Sequence, residues 1–331
     1  MDGGGSGEDR FIARFFRPIA GSPAALGLMD DAALLTPPDG CDLVLTKDAV
    51  VAGVHFFPDD PPAAVARKAL RVNLSDLAAK GAAPLGALLA LALPKGTPDA
   101  WMEGFATGLG ADTMLYGCPI LGGDTVSTPG PVTITLTALG AVPKGGFVPR
   151  TGARPGQAIF VTGTIGDAAL GLRLRQNGDL PAFAGLSEER RAHLLDRYLH
   201  PQPRLALAPV LRRFAAAAMD VSDGLAGDLA KMLAASGCGG RMEARRVPLS
   251  GAAAAAVEAD GGLLKTALTG GDDYEILACV PHDAVSAFTV AAAEAGVPVA
   301  LIGETREAHG LDVTDAGGHP LDLGSGSFSH F

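Results

Sequence analysis

Aromatic side chains are scarce in this chain: they make up 5% of 331 residues, with one Trp and three Tyr. That argues against stacking platforms for bases or sugars as the main mode of recognition, and leaves the cores to Ala, Val, Leu and Ile. Cations are short as well. Lys and Arg number 26 against 36 Asp and Glu, a formal charge of −10, whereas a nucleic-acid binder needs a basic surplus to displace counterions from phosphates. Cysteine is limited to Cys41, Cys118, Cys238 and Cys279, far apart and without a CxxC or a paired His. This argues against a disulfide frame or a zinc centre and for reduced thiols in the cytoplasm. The longest apolar run, residues 85–93, is about half of what a membrane span requires. The opening Met-Asp-Gly-Gly-Gly-Ser-Gly lacks an apolar signal core. A soluble, cytoplasmic protein with neither nucleic acid nor membrane as partner is expected. Familiar phosphate signatures are missing too. There is no G-x-x-x-x-G-K-[ST] and no protein-kinase catalytic loop, and the turn from Gly163 to Gly166 is too short for a dinucleotide fingerprint.

What is present suffices for two cores. Hydrophobic residues reach 48% and charged ones 19%, a composition that excludes disorder, and the length fits two domains of roughly 150 residues each. Helical periodicity marks residues 8–20, 61–81 and 98–115, and strand patterns mark 42–46, 85–93, 132–137 and 158–162. Around 143–155 the composition turns to Gly, Pro and basic residues, the best candidate for a boundary. The chain thus divides into an N-terminal domain, 1–145, and a C-terminal domain, 146–331, each α/β or α+β. Two echoes run across that boundary: Asn73-Leu-Ser-Asp-Leu-Ala against Asp220-Val-Ser-Asp-Gly-Leu-Ala, and Gly122-Gly-Asp against Gly270-Gly-Asp. Either these are chance matches in an Ala/Gly/Asp-rich chain or the halves are distant copies of one unit.

Aspartate beside glycine or small residues is the salient feature: Asp30-Asp31, Asp48, Asp76, Asp124, Asp220, Asp223 and Asp272-Asp273. Most follow an apolar run, where a loop is expected to leave a strand or enter a helix. Any one of them fits a turn or an N-cap. As a set they place like charges side by side, a penalty that bound cations remove. Magnesium takes oxygen ligands, usually one or two carboxylates per ion, and completes its shell with water and phosphate oxygens. So many acids imply more than one ion and a polyphosphate that shares them, which points to ATP and to phosphate chemistry run by positioning and electrostatics. Thr46 adds a neutral oxygen. Arg150 either clamps a phosphate bidentately or is a solvated linker charge. His55, alone among apolar neighbours, is ordinarily a hydrogen-bonded core residue. Gly271-Asp272-Asp273-Tyr274-Glu275 gathers three acids around a Tyr, a place to hold a cationic or hydroxyl-bearing substrate.

Taken in order, Asp30-Asp31-Ala-Ala, Lys47-Asp48, Gly53-Val-His55-Phe, Val72-Asn-Leu-Ser-Asp76-Leu-Ala, Gly122-Gly-Asp124-Thr, Asp220-Val-Ser-Asp223-Gly-Leu and Gly270-Gly-Asp272-Asp-Tyr-Glu275 resemble the thiamine-monophosphate kinases. These belong to the superfamily of aminoimidazole ribonucleotide synthetase and selenophosphate synthetase. The likeness runs from about Glu8 to the terminal Ser-His-Phe. It implies the two-domain α/β (α+β) aminoimidazole ribonucleotide synthetase-like fold. It also implies a homodimer that pairs N-terminal sheets, and direct phosphoryl transfer from ATP to thiamine monophosphate. Carried over position by position, it implies Asp31, Thr46, Asp48, Asp76, Asp124, Asp220 and Asp223, with Asp30 adjacent, as ligands of several magnesium ions. Gly123, Asp124, Arg150 and Ser222 become nucleotide contacts, and His55, Asp272 and Phe328 contacts to the thiamine substrate. Lys47, Lys80 and Asp272 depart from the family's usual Thr, Met and Glu. The alternatives are another ATP-dependent enzyme of the superfamily, aminoimidazole ribonucleotide synthetase-like, or a non-catalytic nucleotide- or metal-binding scaffold. A selenophosphate synthetase would need a reactive Cys in the early Gly-rich stretch, which has none.

Overall fold

The computed structural model describes residues 7–324 and 326–327; Phe328, expected at the substrate, lies outside the described residues. Two compact units emerge. One comprises residues up to 77 with Ala82–Gly145, the other Ala78–Gly81 with residues from 146 onward.

The first unit runs α1 (Gly7–Phe15), β1 (Cys41–Val51), α2 (Pro62–Ala79), β2 (Ala83–Pro94), α3 (Asp99–Leu115), β3 (Ile120–Thr128) and β4 (Thr133–Pro143). Its sheet has the order β1-β4-β2-β3; β4 is antiparallel to β1 and β2, and β3 is parallel to β2. Strand side chains alternate between faces, and the alternation sorts this sheet by chemistry. Val44 and Val50 of β1 are buried, as are Leu89 and Leu91 of β2 and Ile134 and Leu136 of β4. Helix α2 lies over that face, since Thr46 bonds to Asp76 and the Asp48 N–H to Asn73. The opposite face exposes Leu43, Leu45, Leu88 and Val126. Helices α2 and α3 are joined by Arg71, whose guanidinium binds both oxygens of Asp112, at 2.5 and 3.0 Å. Both residues are buried, so removing either partner strands a charge and costs about 3–5 kcal/mol.

In the second unit β5 (Gln157–Thr162), β6 (Ala217–Asp220), β7 (Gly239–Glu243), β8 (Ile276–Pro281), β9 (Val299–Arg306) and β10 (Gly310–Thr314) form one sheet, order β10-β7-β9-β5-β8-β6. Helices α4 (Asp167–Gln176), α5 (Pro181–Ala184), α6 (Glu188–Leu199), α7 (Ala208–Phe214), α8 (Leu225–Ala235), α9 (Gly251–Ala259), α10 (Leu263–Thr269) and α11 (Val285–Glu294) complete it. Strand β5 is buried throughout and feeds two cores. Ile159 and Val161 pack with Leu229, Met232 and Leu233 of α8, whereas Ala158 and Phe160 pack with Leu211 of α7 and Phe288 of α11. A third cluster joins α4, α5, α6, α9 and α10 through Leu170, Phe183, Leu194, Ala253 and Ala267. Lys80 is anchored here, its ammonium donating to the Ala218 carbonyl at 2.7 Å.

The internal echoes do not correspond to repeated structure. Asn73 to Ala78 lies inside α2, while Asp220 to Ala226 leaves β6 and enters α8. Gly122 to Asp124 is strand, and Gly270 to Asp272 is the turn that follows α10. The same letters sit on different backbones. Among the described residues no helix is long and apolar enough to cross a membrane.

Candidate functional site

In the first unit the predicted residues fall into two groups. Asp30 and Asp31 follow the 3-10 turn Pro23–Leu28. They line a cavity of about 540 Å³ together with Gly123, Asp124, Leu88 and Phe16. The Asp31 N–H donates to the Asp30 carboxylate at 2.8 Å, which fixes the pair as a turn. Asp124 pairs in register with Ala90, Ala90 with Thr135, and Thr135 with Ala49, so it belongs to the exposed face of the sheet.

Thr46 and Asp48 occupy the other face. The Thr46 hydroxyl donates to the Asp76 carboxylate, and the Asp48 N–H donates to the side-chain oxygen of Asn73 at 3.2 Å. Asn73 is itself held by the Ala69 carbonyl at 3.0 Å. Lys47 lies on the exposed face with Leu45 and is exposed, away from Thr46 and Asp48. His55 follows β1 in the turn that returns on it. The Val51 N–H donates to its Nδ1 at 3.1 Å, which leaves the ring proton on Nε2. The ammonium of Lys68, a buried lysine, donates to the His55 carbonyl at 2.9 Å. His55 is therefore oriented rather than merely packed.

The second unit brings Asp220, Ser222, Asp223 and Asp272 onto two adjoining segments. Beyond the β6–β8 ladder the chain continues to pair: the Val221 N–H donates to the Glu275 carbonyl, the Tyr274 N–H to the Val221 carbonyl, and the Asp272 N–H to the Ser222 carbonyl, at 2.8 to 2.9 Å. A Cβ on Gly271 would stand 2.4 Å from the Ser222 carbonyl oxygen, so only glycine lets the segments meet. The 222–224 turn is organised by Asp228, a buried residue whose Oδ2 accepts the N–H groups of Ser222, Asp223 and Gly224 at 2.9 to 3.2 Å. Lys231 bridges Asp223 and Asp228, at 2.5 and 2.9 Å. Partial burial works to lower its pKa, but the hydrogen bonds to the two carboxylates prevail and raise it. The Asp273 carboxyl, fully buried, accepts the Gly166 N–H at 2.8 Å. Burial lifts it well above the usual carboxylate range, aided by Asp167 and Glu275 and opposed by the Gly166 bond and Arg197.

Asp220 closes β6, where a loop leaves the strand, but three of the expected acids lie inside regular elements. Asp48 and Asp124 lie within strands and Asp76 within α2. Nor do the acids of the first unit share one surface, because β1 and β3 send Asp48 and Asp124 to opposite faces. Among the described residues no three His, Cys, Asp or Glu side chains stand close enough to hold a metal ion on their own. Magnesium does not require that. One or two carboxylates suffice when water and phosphate supply the rest, and every donor here is a hard oxygen. The residues present fit magnesium on that basis. Arg150 fits an anion, since its Nε is buried and has no hydrogen-bond partner among the described residues. Burial pushes the Cys118 and Cys279 thiols up to about 12, which keeps these two out of the chemistry. Sequence reasoning missed Asp228 and Lys231. The signal for Asp228 was an acid in the first turn of a helix, and Lys231 lies one turn further along that helix.

Residues 29–142 match the family described as AIR synthase related protein, N-terminal domain, and residues 154–316 match AIR synthase related protein, C-terminal domain. Fold and paired domains thus define the class, the AIR synthase related proteins. The thiamine-monophosphate kinase of Caulobacter vibrioides is 47% identical over 304 residues, which is 91% of this chain and 84% of that protein. The crystal structure of thiamine-monophosphate kinase from Stenotrophomonas maltophilia K279a aligns with a TM-score of 0.83 at 37% identity, over 95% of this chain and 96% of that one. AaThiL complexed with AMPPCP and TMP aligns with a TM-score of 0.78 at 30% identity, over 91% of each chain. Within the class, the chain belongs to the thiamine-monophosphate kinase family and is an enzyme of the kinase type.

Proposed function

We propose that this protein transfers the γ-phosphoryl group of ATP to thiamine monophosphate, giving thiamine diphosphate and ADP. The observation that carries the reading is its likeness, over 91% of its length, to a structure that holds AMPPCP and TMP together. In this reading Gly123, Asp124, Arg150 and Ser222 contact the nucleotide, and His55, Asp272 and Phe328 contact the acceptor. Asp30, Asp31, Thr46, Asp48, Asp76, Asp124, Asp220 and Asp223 hold magnesium ions. Bound magnesium would supply positive charge against the negative charge carried by the transferring phosphoryl group. Arg150 offers its guanidinium to a phosphate. His55, with Nδ1 already occupied by the Val51 N–H, offers its Nε2–H to the acceptor phosphate.

An oxygen of the acceptor phosphate attacks the γ-phosphorus in line as the bond to the β,γ-bridging oxygen breaks, and the electron pair leaves with ADP. A phosphate monoester has a second pKa of about 6, so the attacking oxygen is ionised at neutral pH and no general base is needed. No side chain serves as a covalent nucleophile. We propose in addition that the enzyme is a homodimer paired through the exposed face of the first unit's sheet, where Leu43, Leu45, Leu88 and Val126 would be covered.

The test is ADP release with magnesium, ATP and thiamine monophosphate, against controls without acceptor and with unphosphorylated thiamine. ADP formed in step with thiamine diphosphate, and only with the monophosphate, is the expected result. ADP formation indifferent to acceptor contradicts the reading.

A further inference from the structure

Asp272 and Tyr274 both take left-handed backbone conformations, with φ of +74° and +50°, which L-residues avoid. Two such residues in three persist only where the surroundings over-determine them. The surroundings here centre on the side chain that follows. Glu275 is fully buried. Its Oε1 accepts from Arg197 at 2.8 Å and from the terminal nitrogen of Arg204, and its Oε2 accepts from Arg204 Nε at 2.7 Å and the Thr162 hydroxyl at 2.6 Å. The same hydroxyl receives the Ile276 N–H at 2.8 Å. Space for the carboxylate is left by Gly163, where a Cβ would stand 2.1 Å from Oε1.

We propose that Glu275 is a positioning residue for the acceptor site: pinned by Arg197, Arg204 and Thr162, it holds Asp272 and Tyr274 in their left-handed conformations and so sets where Asp272 stands. The proposal rests on the reading above that Asp272 contacts thiamine monophosphate. Several features favour a pin over an ordinary buried ion pair. Carboxylate lone pairs on both oxygens are used by donors from β5, from α6 and from the segment before α7. The backbone of Glu275 is engaged as well, through Val221, so side chain and main chain are fixed together. The neighbouring Asp273 side chain is tied to the Gly166 N–H, which leaves residues 272 and 274 between fixed points.

Glu275→Gln keeps the shape, removes the charge and sets an amide against two guanidinium groups. The Michaelis constant for thiamine monophosphate should rise at least about tenfold, equivalent to ~1.4 kcal/mol. A second change separates positioning from general damage. Tyr274→Gly makes the left-handed conformation strain-free, whereas Tyr274→Ala removes the same ring and keeps the strain. In the Glu275→Gln background the glycine should bring the Michaelis constant back toward its starting value, and the alanine should not. An unchanged constant in Glu275→Gln, or equal constants for the glycine and alanine doubles, overturns the proposal. Should Glu275→Gln fail to fold, Thr162→Val, which deletes one donor, is read by the same glycine-against-alanine comparison. If the wild-type protein makes no acceptor-dependent ADP, the functional reading falls. The pin is then judged by melting temperature, where a glycine double more stable than the alanine double sustains it and equal stabilities end it.

Discussion

A buried carboxylate that gathers backbone N–H groups fixes its surroundings more firmly than one that meets a single partner. Asp228 and Asp273 both do this. Asp228 accepts three N–H groups and an ammonium. Asp273 sits among Asp167 and Glu275, and burial raises its pKa above the unfolded value. A raised folded-state pKa favours folding while the proton is bound. Its contribution is complete below the unfolded pKa of about 4 and is lost as pH rises through the folded value. Asp273→Asn removes this titration. Melting temperature followed from about pH 4 to about pH 8 should therefore fall less steeply in the variant than in the wild type; parallel curves would contradict the assignment. At this scale the sequence was informative about residue type and silent about partners. The acids beside glycine were legible because a turn needs one Asp and not two. The bonds of Glu275 to Arg197 and Arg204 span more than seventy positions, and no local pattern announces a contact that distant.

Strands and helices follow from periodicity, which is why the helix expected over residues 61–81 spans Pro62–Ala79 and the strand expected over 85–93 spans Ala83–Pro94. Boundaries were less legible than cores. The pattern over 42–46 stops at Thr46, yet β1 continues to Val51, because its pairing with β4 extends through Lys47 and Asp48. That extension puts Asp48 in a strand where a loop was expected. It also splits the odd and even positions of β1, giving Thr46 and Asp48 to α2 and Leu43 and Leu45 to the exposed face. Leu45 is 63% exposed in the single chain, and a large apolar residue on an edge strand is an invitation to association. If the sheet faces pair, Leu45→Asp should convert a dimer into a monomer, read by light scattering coupled to size exclusion. A wild-type monomer, or an unaltered dimer in the variant, would remove this face from the account.

Considered as a whole, the molecule is acidic, with a formal charge of −10, and yet belongs to a family that handles phosphates. The magnesium proposed above would reconcile the two, because bound cations reverse the local field that carboxylates and phosphates otherwise share. In the proposed reading each unit supplies oxygen ligands: Asp30, Asp31, Thr46, Asp48, Asp76 and Asp124 from the first, Asp220 and Asp223 from the second. The family could be recognised from the order of these motifs along the chain. The division of the first unit's acids between two sheet faces could not, since it depends on strand register. The most direct test of the account is turnover against magnesium concentration for Asp124→Asn and Asp223→Asn. Each should lose about a hundredfold or more in turnover, of the order seen when one electrostatic contact to a transition state is removed, with the melting temperature little changed. Rates equal to wild type in both variants at limiting magnesium would contradict it.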